Sequence, residues 1–321
     1  MSILAVGKAG LTPCLMDVTA TAGELSSAIE TADVRAVITQ ARLGPDRLAE
    51  KLCFVAAGFF RLRFLLAFGP AVPDGVVDLD PILLEPRRTA AVPSSAASAD
   101  EGEPGLVTFA RDAAGKTAYF RTYRSLIAAA APIVGAAKLH PGDRLLTLLP
   151  PDDLKGVVTG LVAGLVAGAT VETHAVFAEQ RLSQALAGPE PTHLVVPGWM
   201  EPAIAELPNA RALLSTILVH EPPLALDGRP GLGRAVDVLC CSELALLSSA
   251  RSAADRIGSM DLCTAKENGS GALLEARIDG DQLWLRGPAL AWPDRAEVEA
   301  AEWRPSGLRI ERKGAEVTGL T

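Results

Sequence analysis

No block of lysine and arginine occurs anywhere in the 321-residue sequence, and the net charge of -8 with a pI near 5.2 leaves nothing to track a phosphate backbone. Nucleic acid is therefore not an expected partner. C-x-x-C pairs are missing too: Cys14, Cys53, Cys240, Cys241 and Cys263 form an odd set with no histidines at zinc-binding spacing. A structural metal is not expected, and free thiols point to a reducing cytoplasm. Residues 1–17 lack the charged start, apolar stretch and small-residue cleavage site of an export signal, so a cytoplasmic location is expected. Apolar runs long enough to span a bilayer are also wanting. Residues 52–70 carry Arg61 and Arg63 near their centre, and the uncharged residues 156–171 fall short of the roughly 20 a spanning helix needs. Glycines 156, 160, 164 and 168 share one helical face, which suits close packing of a buried helix against a sheet.

What remains is a chain of 49% hydrophobic and 21% charged residues, well able to bury a core. Its periodicities alternate. Residues 19–31 read as a capped helix, 34–39 as a strand, 45–60 as a helix and 62–68 as a strand. Residues 86–104 hold Ser, Ala, Pro, Asp and Glu with little to bury, and read as a linker or mobile loop. Strands follow at 106–109, 143–149, 169–174, 193–196, 216–219 and 236–239, with helices at 125–137, 156–168 and 178–187 between them. This alternation predicts layered, doubly wound α/β sheets. Near the end, 276–278 and 282–286 flank Asp279, Gly280 and Asp281, a hairpin signal that opens a small β-rich lobe. The expected organisation is an α/β lobe at 1–85, a linker at 86–104, a second α/β lobe at 105–272 and a β-rich lobe at 273–321.

Six phrases in order then carry a resemblance: AVGKAGLTPCLMDVTATAGE at 5–24, HPGDRLLTLLP at 140–150, GLVAGLVAGATV at 160–171, THLVVPGWM at 192–200, ILVHEPPL at 217–224 and DGDQLWLRGPAL at 279–290. Together they resemble the adenylate-forming superfamily of acyl-CoA synthetases, luciferases and peptide-synthetase adenylation domains. The resemblance implies a carboxylate joined to AMP from ATP and magnesium, then passed to a thiol such as coenzyme A. It also implies the fold of the large domain of that family, with the sequence starting late and its small C-terminal lid domain absent.

The residues that such chemistry needs are altered. Where the resemblance places a Ser/Thr/Gly phosphate loop ending in lysine, the sequence has Ala110 to Ala118 with Gly115, Lys116 and Thr117 retained and Asp112 adding negative charge. The same stretch differs from a G-x-x-x-x-G-K-[ST] loop only at Ala110, but the β-prone residues 118–122 follow where a helix would have to open; a solvated turn between strands is favoured. Ser242 and Glu243 match a Thr-Glu pair that contacts phosphate and magnesium, with Glu243 the candidate metal ligand; the competing reading is a Ser cap and first-turn Glu at a helix start. His220 and Glu221 lie in the phrase that meets the adenine in the family. WRPSGL at 303–308 resembles the phrase whose aspartate grips the ribose, and Leu308 stands in its place. The four histidines have no nucleophile phrase beside them and read as structural or surface groups; Cys240, Cys241, Trp284 and Trp292 read as core.

Three readings stay open. One is a non-catalytic relative that binds an acyl group, a carboxylic acid or another protein chain. The second is an active acid-thiol ligase, using ATP, magnesium and coenzyme A, whose lid comes from a separate chain. The third is a poorly folded gene remnant with open sheet edges.

Overall fold

A computed structural model describes residues 2–84, 105–112, 115–174, 176–207, 209, 212–225, 232, 234–251, 273–293, 302–313 and 316–321. The expected linker at 86–104 lies outside these. The chain divides into two compact units, Met1–Phe120 and Arg121–Thr321.

The first unit opens with helices α1 (Ser2–Lys8) and α2 (Ala22–Thr31). Helix α2 begins three residues later than expected and is capped by Thr21, whose hydroxyl accepts from the Glu24 amide while the Glu24 carboxylate accepts from the Thr21 amide at 2.7 Å, a reciprocal capping box. Strand β1 (Ala36–Gln40), helix α3 (Leu48–Ala56), strands β2 (Phe64–Phe68) and β3 (Val77–Asp78), and helix α4 (Asp80–Leu84) follow. The three strands form a parallel sheet in that order. Leu25, Ile29, Leu52 and Val55 from α2 and α3 build the core that covers one of its faces. Strands β4 (Leu106–Asp112) and β5 (Gly115–Arg121) pair with each other. The stretch 110–118, favoured as a turn between strands, spans the end of β4 and the start of β5, with Gly115, Lys116 and Thr117 opening β5. No helix opens at this point, which disposes of the phosphate-loop alternative.

The second unit contains helix α5 (Tyr123–Ala137), capped by Thr122, and strand β6 (Arg144–Thr147). The glycine-rich helix expected at 156–168 starts earlier and is not uniform: α6 (Leu154–Gly156) leads into a π-wound segment (Val157–Val162) and then α7 (Ala163–Ala167). Strand β7 (Thr170–Thr173), helix α8 (Glu179–Leu186), strand β8 (Thr192–Pro197), helix α9 (Glu201–Ala205), strands β9 (Ser215–His220), β10 (Leu224–Ala225), β11 (Ala235–Cys241) and β12 (Ala245–Ala250) complete the layered part. Six of them form a sheet of order β12-β11-β9-β8-β6-β7, in which only β12 runs antiparallel. β8, β9 and β11 are buried almost end to end, which explains their continuous apolar sequences: strands covered on both faces have no polar side.

The expected hairpin is β13 (Glu275–Asp279) and β14 (Gln282–Arg286), and the strands β15 (Arg304–Lys313) and β16 (Glu316–Leu320) extend it to a five-stranded sheet edged by β10. Leu283 and Leu285 are fully buried on its inner face. On the outer face the Arg277 guanidinium lies 4.4 Å from the Trp303 ring centre and 5.8 Å from that of Trp284, while Arg286 stacks on Trp303 from 4.7 Å. Trp292 is buried, as expected, whereas Trp284 is half-buried in this stack.

Gly156 shows why the helix entrance needs glycine. A β-carbon there would sit 1.8 Å from the carbonyl oxygen of Pro150, backbone that cannot swing away. Gly156→Ala should destabilise the protein by about 1–3 kcal/mol. In a thermal melt followed by circular dichroism its midpoint should fall clearly below that of Gly135→Ala, where an added methyl meets nothing within 4 Å.

Candidate functional site

In an open α/β sheet the chain reverses direction at one place, leaving a crevice outside the carboxyl ends of the two strands there. Here β7 lies on one side of β6 and β8 on the other, so the reversal falls between β6 and β8. Residues that follow β6, β8, β9 and β11 therefore converge on one edge, and they form the candidate site.

After β6 the chain passes through Pro150 and Pro151 to Asp153, the N-cap of α6, whose Oδ1 accepts from the Gly156 amide at 2.8 Å. The Lys155 ammonium bonds to the other oxygen of Asp153 and to Glu221 Oε1, 2.9 Å away and just beyond β9. Burial works against the lysine charge, yet the charge and hydrogen bond of Asp153, followed by Glu221, hold the Lys155 pKa above its ordinary value. Glu243, beyond β11, is buried, and its Oε2 accepts from the Leu154 amide at 3.1 Å. Two carboxylates thus serve the amino end of this one helix, where exposed amides and the helix dipole favour negative charge.

Ser242, Glu243 and Leu244 are not a helix start. They form the tight turn between β11 and β12, with Ser242 exposed in the left-handed region at φ 51°. The turn is held by Arg121, a guanidinium only 1% exposed that donates to the carbonyls of Glu243 at 2.5 Å, Leu244 at 3.0 Å and Ala289 at 3.2 Å. Cys240 and Cys241 lie fully inside the strand before it. Burial raises the Cys240 thiol well above its usual range and the Cys241 thiol to about 12, so neither supplies a thiolate at neutral pH.

His220 closes β9 with its ring against Gly198, where a β-carbon would lie 2.2 Å from His220 Nδ1. Its Nε2 pairs with Asp237 Oδ1 at 2.7 Å, and Asp237 in turn accepts from Arg251, which also bonds to Glu201. Burial alone would raise the Asp237 carboxyl, but the hydrogen bonds from His220 and Arg251 and the charge of Arg251 hold it below the usual range. Trp199, after β8, is 80% exposed and presents an unshielded indole at the same edge.

Of the residues singled out from the sequence, His220, Glu221, Ser242 and Glu243 are gathered at this edge, and Gly115, Lys116 and Thr117 lie in β5 of the first unit. Asp153, Lys155 and Arg121 were missed. The run Pro150-Pro151-Asp152-Asp153-Leu154-Lys155, a strand end followed by an N-cap and a cation, was the signal for the first two; nothing local marks Arg121. Leu308, where a ribose acceptor was wanted, is a buried residue of β15. Among the described residues no three His, Cys, Asp or Glu side chains are grouped to hold a metal ion, and no helix is long and apolar enough to cross a membrane.

A Ser-His-Asp contact does occur, at the opposite edge. His193 Nδ1 lies 2.7 Å from Ser215 Oγ and its Nε2 3.2 Å from Asp143 Oδ2. The carboxylate only accepts, so Nε2 carries the proton and Nδ1 accepts from the serine. Ser215 is 4% exposed at the start of β9, out of reach of a substrate carbonyl, so the trio is structural. His140 is exposed and His174 is paired with Glu172 at 2.7 Å.

No family model and no curated protein matches the sequence. Solved structures do match: an amide bond synthetase, McbA, from Marinactinospora thermotolerans (17% identity, TM-score 0.69, 99% of this chain and 66% of that one); ATP-bound MatB from Rhodopseudomonas palustris (15%, 0.71, 99% and 65%); and a benzoate CoA ligase from Burkholderia xenovorans LB400 (17%, 0.70, 99% and 66%). The chain spans about two thirds of the length of these structures. Identity this low establishes the fold, and that fold is the layered α/β large-domain architecture expected from the six phrases.

Two substitutions separate the roles at the helix entrance. Asp153→Ala removes a cap and should cost about 1–2 kcal/mol, whereas Glu221→Gln, at a half-exposed ion pair, should cost less than about 1 kcal/mol; chemical denaturation measures both. Burial, and then the charge of His140, lowers the His193 pKa from its ordinary 6.5 against the opposing pull of Asp143. A lowered histidine pKa contributes stability that is complete above the unfolded value and is lost as pH falls through the folded value. Thermal midpoints should thus decline as pH drops below 6.5, and His193→Gln should flatten that decline.

Proposed function

We propose that the protein is an acyl-CoA synthetase-like binding module that does not catalyse adenylation, a pseudo-ligase whose partner is a carboxylic acid, an acyl group or another protein chain. One observation carries this reading: the charged groups at the carboxyl edge of the sheet are bound to one another and to the backbone. Lys155 is clamped by Asp153 and Glu221, and one carboxylate oxygen of Glu243 accepts from the Leu154 amide.

A magnesium-triphosphate does not fit these residues. One oxygen of Glu243 already serves a buried amide, and moving this carboxylate away to meet a metal would leave that donor unsatisfied at a cost of about 1–3 kcal/mol. Three carboxylates against one already paired lysine repel a polyanion rather than attract it. Leu308 offers no acceptor for a sugar hydroxyl. The exposed Trp199 suits a partner with a hydrocarbon or aromatic portion instead.

An active acid-thiol ligase using ATP, magnesium and coenzyme A is the second reading. It is favoured by the likeness over 99% of the chain to structures described as an amide bond synthetase and a benzoate CoA ligase. Isothermal titration decides between the two. No magnesium-ATP binding tighter than about millimolar, together with no pyrophosphate exchange across a panel of carboxylic acids, is the expected outcome. Micromolar ATP binding, or exchange with any acid, would overturn the pseudo-ligase reading.

A further inference from the structure

Trp199 is 80% exposed, so packing on its indole does not fix where it points. Its position is set by the backbone that carries it, the 3-10 turn Gly198–Met200 that runs straight into α9. Buried polar side chains grip both ends of this stretch. At Gly198 the ring of His220 lies against the backbone, so close that an added β-carbon would come within 2.2 Å of Nδ1 and 2.4 Å of Cε1. At Glu201, whose side chain is 5% exposed, Oε1 accepts from the Arg251 guanidinium at 2.5 Å and from the Leu232 amide at 2.8 Å. The two grips are joined to each other. Asp237 accepts from His220 Nε2 at 2.7 Å through one oxygen and from Arg251 Nε at 2.9 Å through the other. Gly198, His220, Asp237, Arg251 and Glu201 thus close a ring of contacts around the turn that bears Trp199.

Such a ring is a poor way to gain stability. Buried ion pairs hold a fold no better than apolar residues of the same volume, because desolvation offsets their attraction. Met200 and Ile204 already seat α9 in the apolar core beside the sheet. Glu201 Oε2 is buried and has no hydrogen-bond partner among the described residues, an arrangement that a core serving stability alone avoids. What the ring adds is direction. Apolar contacts allow a short helix to turn or slide, whereas hydrogen bonds of fixed length and angle to Arg251 and His220 admit one placement.

We propose that His220, Asp237, Arg251 and Glu201 are positioning residues for Trp199, holding its indole in one place at the carboxyl edge before a ligand arrives. That the ligand's hydrocarbon or aromatic portion is what meets the indole rests on the binding-module reading above; the fixed indole does not. Fixing it in advance removes an ordering cost from binding.

Nitrogen-15 relaxation of the indole N–H groups in the full chain tests the proposal, with Trp199→Phe assigning one of the four tryptophans and Trp284, Trp292 and Trp303 as internal controls. In the wild type the Trp199 order parameter should be about 0.85, as for rigid backbone. Glu201→Met cuts the ring but leaves Arg251 paired with Asp237, so it should lower that value below about 0.6 while the other three indoles and the thermal midpoint stay close to wild type. Glu201→Gln keeps an oxygen for Arg251 and should restore it. Arg251→Met should reproduce the loss and Arg251→Lys relieve it; Glu201→Met strands no charge and decides alone where Arg251→Met does not fold. Titration with benzoate and octanoate then reads the contact: the wild-type Trp199 signal should shift, and an indole in place only a tenth of the time should weaken binding about tenfold in Glu201→Met. A Trp199 already mobile in the wild type, one that stays rigid in folded Glu201→Met, or an equal loss of order at all four indoles would each overturn the proposal. A rigid Trp199 that neither acid shifts would instead count against the acyl-binding reading and leave the positioning role standing.

Discussion

The guanidinium of Arg121 is the contact on which the arrangement of the site depends. Buried and donating to three carbonyls, it fixes the turn between β11 and β12, and so decides where Glu243 can reach. Glu243 then holds the amino end of α6, α6 aims Lys155, and Lys155 ties the end of β6 to the end of β9. A buried charge of this kind is tolerated only because every donor direction used finds a carbonyl, and losing it would strand several acceptors together. The order within the site therefore flows outward from a residue that takes no part in its surface.

The charges at the carboxyl edge of this layered α/β fold face one another. A preorganised edge normally leaves donors and cations waiting for a ligand. Here the helix dipole at α6 is answered twice from within, by Asp153 and by Glu243, and the lysine that follows is neutralised by flanking acids. The histidines are similarly engaged from within: His220 is paired with Asp237, and His193 with Asp143 and Ser215.

Much of the layered fold could be read in advance because its strands are either continuous apolar runs or strict alternations, and its helices have legible caps such as Thr21 with Glu24 and Thr122 with Ser125. Strands β12, β15 and β16 were not, since Ser248 and Ser249 dilute one and Pro305 and Gly307 interrupt another; their existence is imposed by neighbours in the sheet. The site was half legible. Ser242, Glu243, His220 and Glu221 follow strand ends, where sequence order alone puts a residue at the functional edge. Arg121 could not be found this way, because its partners lie 122, 123 and 168 residues away and are backbone carbonyls, which carry no signature of their own.

The π-wound segment at Val157–Val162 separates the orientation of the site from that of the helix behind it. Such a turn holds one residue more than an α-helical turn, and each residue is worth about 100° of rotation about the helix axis. The glycine-bearing faces of α7 can therefore stay seated against β7 while everything ahead of the widened turn is dialled round independently. One residue more in this turn sets Asp153 and Lys155 about 100° further round the axis than an unbroken α-helix would place them.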